Sequence, residues 1–156
     1  MSDPRRLLVV FHSRSGGTAA MTDAVVAGAN DDAIDGVEVR VQNAFATTVE
    51  DVRACNAIVL GTPENFGYMS GAMKDFFERV YYPLLEETPG LPYALFVKAS
   101  TDGDGAVRSV ERIVAGLRWK LVMPPVVVVG ELGPGDLERC QELGATVAAG
   151  LEAGIF

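Results

Sequence analysis

The chain has 156 residues, a length typical of one domain, and its composition of 49% hydrophobic and 22% charged residues is ordinary for a globular protein. The formal net charge of −8 argues against nucleic-acid binding, which requires a basic face. No apolar run approaches the roughly 20 residues of a membrane span, and the short run near the N-terminus is too brief for a signal peptide.

Five apolar runs alternate with segments of helical periodicity. The first run, at 7–11, is continuously apolar, which is typical of a strand buried on both faces of a parallel sheet. A helix follows it, with apolar Met21, Ala24 and Val25 on one face. The later predicted elements are an edge strand at 37–41, a short helix at 48–54, a strand at 57–60, a helix from Ser70 that ends or kinks near Pro83, a strand at 93–97, a helix carrying residues 107–117, an outer strand at 126–129 and a helix from about 136 to 151.

Strands that alternate with helices predict right-handed βαβ units around a parallel sheet. The first, third and fourth runs are the most apolar, so we predict five parallel strands in the order 2-1-3-4-5, in a three-layer α/β sandwich. We find no linker, and a single domain over residues 1–156 is expected. Cys55 and Cys140 are far apart and lack a CxxC context, so we expect reduced thiols and a cytoplasmic protein.

The loop after the first strand combines hydroxyl groups and glycines directly before a helix. Glycines let successive N–H groups converge, and the helix dipole favours an anion at this point. The loop lacks a Walker A lysine, a GxGxxG pattern and a cysteine nucleophile, so it predicts a phosphate site of another kind. An ordinary capped turn is the alternative. The residues are Ser13, Arg14, Ser15, Gly16, Gly17 and Thr18, of which Arg14 alone is charged.

Two further loops follow the third and fourth apolar runs, at the same edge of the predicted sheet. The loop at 61–69 offers an apolar wall of Phe66, Tyr68 and Met69, although aromatic residues that cover the core would give the same pattern. The loop at 100–105 predicts a backbone-rich bay for a polar heterocycle, since its carboxylates are too few for a metal site. His12, the single histidine, is expected to play a structural or supporting role.

The first loop resembles the flavodoxin phosphate loop, Ser/Thr-x-Thr/Ser-Gly-x-Thr. The stretch Gly61-Thr62-Pro63 with Phe66-Gly67, followed by SGAMKDF at 70–76, is similar to the isoalloxazine loop and following helix of flavodoxin-like NAD(P)H-dependent oxidoreductases. The similarity runs in the same order over nearly the whole chain. It implies a flavodoxin-like fold, bound FMN, and NAD(P)H as the electron donor.

The resemblance also implies a set of cofactor-binding residues. Ser13, Ser15 and Thr18 would hold the phosphate, the loop 63–67 would line the ring, and the loop 100–103 would close its pyrimidine side. The flavin carries the redox chemistry, so no catalytic acid or base and no metal is expected. The full implied set is Ser13, Arg14, Ser15, Gly16, Gly17, Thr18, Pro63, Glu64, Asn65, Phe66, Gly67, Tyr68, Ser100, Thr101, Asp102 and Gly103.

The stretch 98–106 has no aromatic residue, whereas carrier flavodoxins usually cover the ring with an aromatic in this loop. We therefore expect one ring face to be open and the protein to be an NAD(P)H oxidoreductase that reduces a quinone, a free flavin or a similar small acceptor. One alternative is a one-electron carrier that docks to a redox partner protein through its acidic surface. The other is a flavodoxin fold with a non-redox binding role. A homodimer is compatible with each.

Overall fold

The computed structural model describes residues 3–156, and in this part of the chain helices cover both faces of a mostly parallel sheet. The elements in chain order are β1 (Arg5–Phe11), α1 (Gly17–Ala29), β2 (Val37–Asn43), a 3₁₀ turn (Ala44–Ala46), α2 (Val49–Arg53), β3 (Ala57–Asn65), β4 (Tyr68–Met69), α3 (Gly71–Leu84), β5 (Pro92–Ala99), α4 (Asp104–Leu117), β6 (Lys120–Leu121), β7 (Val126–Val129) and α5 (Pro134–Ala153).

The sheet has the predicted strand order. Strands β2, β1, β3 and β5 lie side by side and parallel, and the short β6 and the longer β7 both pair with β5. The five apolar runs correspond to β1, β2, β3, β5 and β7, so the order 2-1-3-4-5 of these runs and the α/β fold class are confirmed. Strands β4 and β6, of two residues each, were not predicted because such short segments carry no periodicity.

Strand β3 is longer than the sequence predicts. It continues through Pro63 to Asn65, because Thr62 and Pro63 still pair with β5 at Val97 and Lys98. The pairing with β1 stops earlier, at Gly61, so the missing N–H of Pro63 breaks no hydrogen bond on that side. The extension carries Glu64 and Asn65 beyond the end of β1, into the region predicted as a loop.

The sheet separates two hydrophobic cores, and alternate residues of the central strands face opposite sides. In β1, Leu8 and Val10 face the core beneath α3 and α4, and Leu7 and Val9 face the core beneath α1 and α5. All four side chains are buried. The central strands are therefore fixed on both faces, and the loops at their carboxyl ends stand on a rigid base.

The predicted helix boundaries are close to the observed ones. The side chain of Ser70 accepts a hydrogen bond from the N–H of Met73, which confirms Ser70 as the N-cap of α3. That helix ends at Leu84, one residue after Pro83. Helix α5 begins at Pro134, earlier than predicted, since proline is well suited to a first helical turn. Among residues 3–156, no helix is both long and apolar enough to cross a bilayer.

Candidate functional site

The carboxyl ends of β1, β3 and β5 bring the three predicted loops into contact. The N–H of His12, at the start of the first loop, donates to the carbonyl oxygen of Gly61 at 3.1 Å. The side chain of Glu64 enters the loop at 100–103, and the side chain of Lys98 reaches the start of α1. The sequence-predicted residues thus lie along one edge of the sheet, where ligands of open α/β sheets bind.

Ser13 gives the first loop its shape. Its Oγ accepts hydrogen bonds from the N–H groups of Gly16 and Ala19, both at 3.1 Å. Gly16 adopts φ 96°, a left-handed conformation that glycine takes without strain, and α1 begins at the next residue. The hydroxyl proton of Ser13 remains available to a ligand, so this side chain can both organise the loop and donate.

The start of α1 offers unsatisfied donors and positive charge. Within residues 3–156, the N–H groups of Arg14, Ser15, Gly17 and Thr18 have no hydrogen-bond partner. The first turn of α1 contains no acidic residue, and the guanidinium of Arg14 forms no ion pair within the described chain. This donor set fits a dianionic phosphate such as that of FMN, because each element of it favours an anion.

Lys98, near the end of β5, is a residue that the sequence analysis missed. Its Cγ, Cδ and Cε atoms lie 3.1, 3.4 and 3.2 Å from the position that a Cβ would occupy on Gly17. Ala94 and Phe96 lie on the same face of β5 and belong to the core beneath α1 and α5. The sequence does contain a signal for this contact. Lys98 continues the alternation of Ala94 and Phe96, and a charged residue at a position that faces α1 indicates a role other than core packing.

The second predicted loop is largely a hairpin between β3 and β4. Phe66 and Gly67 occupy its turn with φ 54° and 65°, as in a two-residue type I′ turn. The side chain of Phe66 is fully exposed and that of Tyr68 is 41% exposed, so both can contact a ligand. The expectation that Met69 joins this wall is wrong, because Met69 is buried in the core beneath α3 and α4.

The hairpin is held against α4. The N–H of Met69 donates to the Oγ of Ser109 at 3.1 Å. Gly105, in the first turn of α4, lies so close to the hairpin that a Cβ at this position would collide with the carbonyl oxygen of Gly67. The hairpin and the start of α4 therefore form one packed unit.

Glu64 links the hairpin to the third loop. Its Oε1 accepts from the N–H of Ser100 at 3.2 Å and from the N–H and hydroxyl of Thr101 at 2.9 and 2.7 Å, and its Oε2 accepts from the N–H of Gly103 at 3.0 Å. The residue is 6% exposed. Burial acts to raise the pKa of Glu64, but these hydrogen bonds stabilise the carboxylate and hold the pKa below its ordinary value.

This arrangement changes what the third loop can offer a cofactor. Three of the N–H groups between Ser100 and Gly103 donate to Glu64, while that of Asp102 has no partner among the described residues. The Oδ1 of Asp102 accepts from the N–H of Asp104, where α4 begins. The predicted bay therefore presents mainly the exposed side chains of Ser100, Thr101 and Asp102. Glu64 is the single charged residue of the stretch 61–69, and this was the signal in the sequence for its contact with the third loop.

His12, directly before the first loop, contacts the 3₁₀ turn that follows β2. Its ring makes an edge contact with Phe45, with centroids 5.8 Å apart, and its Nδ1 is buried without a hydrogen-bond partner in the described chain. Burial, and to a smaller extent the charge of Arg14, lower the pKa of His12. The lowered pKa favours the neutral imidazole at pH 7.

Solved structures with this architecture define the class as flavodoxin-like. A flavodoxin from the domain Archaea superposes with a TM-score of 0.79 at 22% identity, over 92% of this chain and 96% of that one. A WrbA-like flavodoxin from Agrobacterium tumefaciens gives 0.75 at 21% identity, over 95% and 99% of the two chains. The rubredoxin oxygen:oxidoreductase of Desulfovibrio gigas gives 0.81 at 15% identity, over 98% of this chain and 38% of that protein.

Sequence comparison identifies the family. The chain belongs to the NADPH-dependent FMN reductase family, whose sequence model matches residues 22–132. It is also 33% identical over 100 residues to a flavodoxin from Aquifex aeolicus (strain VF5). That match spans 64% of this chain and 53% of its relative, about half of the relative's length. The predicted resemblance to flavodoxin-like, FMN-binding redox proteins is confirmed. The family match begins within α1, so it does not include the first loop.

Proposed function

We propose that this protein is an FMN-dependent oxidoreductase that accepts hydride from NADPH or NADH and reduces a small acceptor such as a quinone or a free flavin. FMN, when bound, supplies the redox chemistry, since it takes up two electrons as hydride and releases them to an acceptor. The protein contributes position and electrostatics. Family membership and the donor set at the start of α1 support FMN as the cofactor.

The proposed binding residues divide between two ends of the site. The free N–H groups of the first loop, with the hydroxyls of Ser13, Ser15 and Thr18 and the charge of Arg14, hold the phosphate. Pro63, the hairpin from Asn65 to Tyr68 and the loop Ser100–Gly103 line the ring. Three N–H groups of the third loop donate to Glu64, so the free donors for a phosphate lie in the first loop, and the site suits FMN better than FAD.

The open third loop is the observation that carries the proposal of an enzyme. A nicotinamide must stack on the ring at about 3–3.5 Å to transfer hydride. The exposed residues of the third loop are Ser100, Thr101 and Asp102, and no aromatic side chain occurs between 98 and 106. The hydrogen bonds to Glu64 restrain the backbone of this loop. Small side chains on a restrained loop leave room for the donor.

A one-electron carrier is the second candidate, and the net charge of −8 favours it. An acidic surface repels a polyanionic dinucleotide and attracts a basic partner protein. We give local access more weight, because exposed charges are screened beyond about 8–10 Å at physiological salt.

Steady-state kinetics distinguish the two candidates. An enzyme loaded with FMN oxidises NADPH or NADH when a quinone is added, without any partner reductase. A carrier shows no such turnover until a reductase is supplied. The proposal of an enzyme therefore fails if turnover with quinones and free flavins stays at the rate of unbound FMN.

A further inference from the structure

Glu64 is a buried carboxylate without a cationic partner. Within residues 3–156, no lysine, arginine or histidine nitrogen lies within 4.0 Å of it. Its charge is distributed over four hydrogen bonds, all from one segment, Ser100–Gly103. Hydrogen bonds to a charged acceptor are stronger than neutral ones, so this carboxylate restrains the loop at several points.

The third loop is also held from its other side. Gly103 adopts φ 78°, and a Cβ on it would stand 2.6 Å from the Cγ1 of Val127 and 3.2 Å from the Cβ of Ala99. Its N–H points to Glu64. The loop therefore lies between a carboxylate on β3 and the side chains of β5 and β7, and its conformation depends on both contacts.

We propose that Glu64 is a positioning residue, which shapes the third loop for the flavin ring by accepting its N–H groups and does not itself bind the cofactor. The inference rests on the proposed FMN site. The carboxylate accepts three N–H groups and the hydroxyl of Thr101, which leaves the exposed side chains of Ser100 and Asp102 to contact a ligand. Since this loop serves the ring and not the phosphate, Glu64 contributes equally to binding of FMN and of riboflavin.

The substitution Glu64→Gln tests this role with little change of volume. The amide oxygen can still accept from Ser100 and Thr101, but the amide nitrogen then faces the N–H of Gly103 and leaves that buried donor unsatisfied. We expect the Kd values of FMN and riboflavin, measured by flavin fluorescence, to rise together by about tenfold or more. Glu78→Gln, an identical change at an exposed ion pair on α3, is the matched control and leaves both Kd values unchanged.

Thr101→Val provides an independent variant, because it removes only the shortest hydrogen bond to Glu64. We expect both Kd values to rise by about threefold. In the double variant the effect of Thr101→Val becomes smaller, since the hydroxyl of Thr101 then donates to a neutral amide oxygen and no longer to a carboxylate. A purely structural role would instead lower the melting temperature and leave flavin binding by the folded protein unchanged.

Three results would overturn the proposal. One is a Glu64→Gln protein with native circular dichroism and unchanged Kd values, and another is a loss of affinity for FMN alone. The third applies if Glu64→Gln does not fold. In that case Thr101→Val is the test, and a Thr101→Val protein that binds both flavins with wild-type affinity contradicts the proposal. None of these measurements involves NADPH, so they are independent of whether the protein is an enzyme or a carrier.

Discussion

The side chain of Lys98 lies along the backbone of Gly17, with its Cγ, Cδ and Cε atoms within 3.1–3.4 Å of the place where a Cβ would be. Its ammonium, one bond beyond Cε, is therefore close to the start of α1. In the described part of the chain neither Lys98 nor Arg14 pairs with a carboxylate. Unpaired cations at a helix N-terminus are unfavourable unless an anion accompanies them.

We therefore expect Lys98→Met to weaken FMN binding by about 1 kcal/mol at low salt, and by less at high salt. Methionine keeps the packing against Gly17 and removes the charge. Riboflavin, which has no phosphate, should bind as it does to the wild type. Lys120→Met, on the exposed β6, is the control. Calorimetry at two salt concentrations measures both binding free energies. Equal losses of affinity for FMN and riboflavin would place Lys98 away from the phosphate.

Ser15→Ala is expected to weaken FMN binding by about 1–2 kcal/mol, because its hydroxyl would donate to a charged acceptor. Ser15 makes no hydrogen bond through its side chain within residues 3–156, so folding stability should not change. Ser13→Ala makes a useful contrast, since Ser13 also accepts from Gly16 and Ala19. It should lower both FMN affinity and the melting temperature. Unchanged FMN affinity in Ser15→Ala would exclude that hydroxyl from the phosphate site.

Phe66 occupies a left-handed position in the hairpin and is fully exposed, so the fold gains nothing from its ring. Phe66→Asn creates Asn-Gly, the preferred pair for a type I′ turn. We expect urea unfolding to show a gain of about 1 kcal/mol in stability. Flavin affinity should fall, because the apolar wall then keeps only Tyr68. Higher stability with full flavin affinity would show that Phe66 does not line the ring.

The lowered pKa of Glu64 predicts an acid-sensitive contribution to stability. The folded state binds the Glu64 proton more weakly than the unfolded state does, whose value is 4.5. The contribution is therefore complete above that value and is lost as pH falls through the folded pKa. Urea unfolding between about pH 6 and pH 3 should show a smaller loss of stability in Glu64→Gln than in the wild type. Asp51, whose pKa is lowered at the cap of α2, affects both proteins alike. Parallel curves would contradict the prediction.

The fold could be predicted because its signals are local. Continuous apolar runs such as 7–11 identify buried parallel strands, and Ser70 marks the start of α3 by an ordinary capping preference. The extension of β3 could not be predicted, because Gly61-Thr62-Pro63 reads as a loop. Pairing with β5 keeps it extended. This is a long-range effect that local propensity does not carry.

The sequence predicts that three loops form the site, but it does not predict which side chains connect these loops. The side chain of Glu64 extends from β3 to the third loop, and that of Lys98 extends from β5 to the end of the first loop at Gly17. Such contacts depend on strand register and on side-chain direction, which single-sequence patterns do not specify. The resemblance implies that Glu64 binds the cofactor, and the structure shows in addition that its carboxylate accepts hydrogen bonds from the third loop.

Anaerobic mixing of the FMN-loaded protein with NADPH or NADH tests the central claim most directly. If one ring face is open to a nicotinamide, the absorbance of the bound oxidised flavin should bleach within the mixing experiment, with no partner protein present. Subsequent addition of a quinone or free flavin should restore it. The absence of bleaching at millimolar NADPH and NADH, in protein that binds FMN fully, would contradict an oxidoreductase and favour the electron carrier.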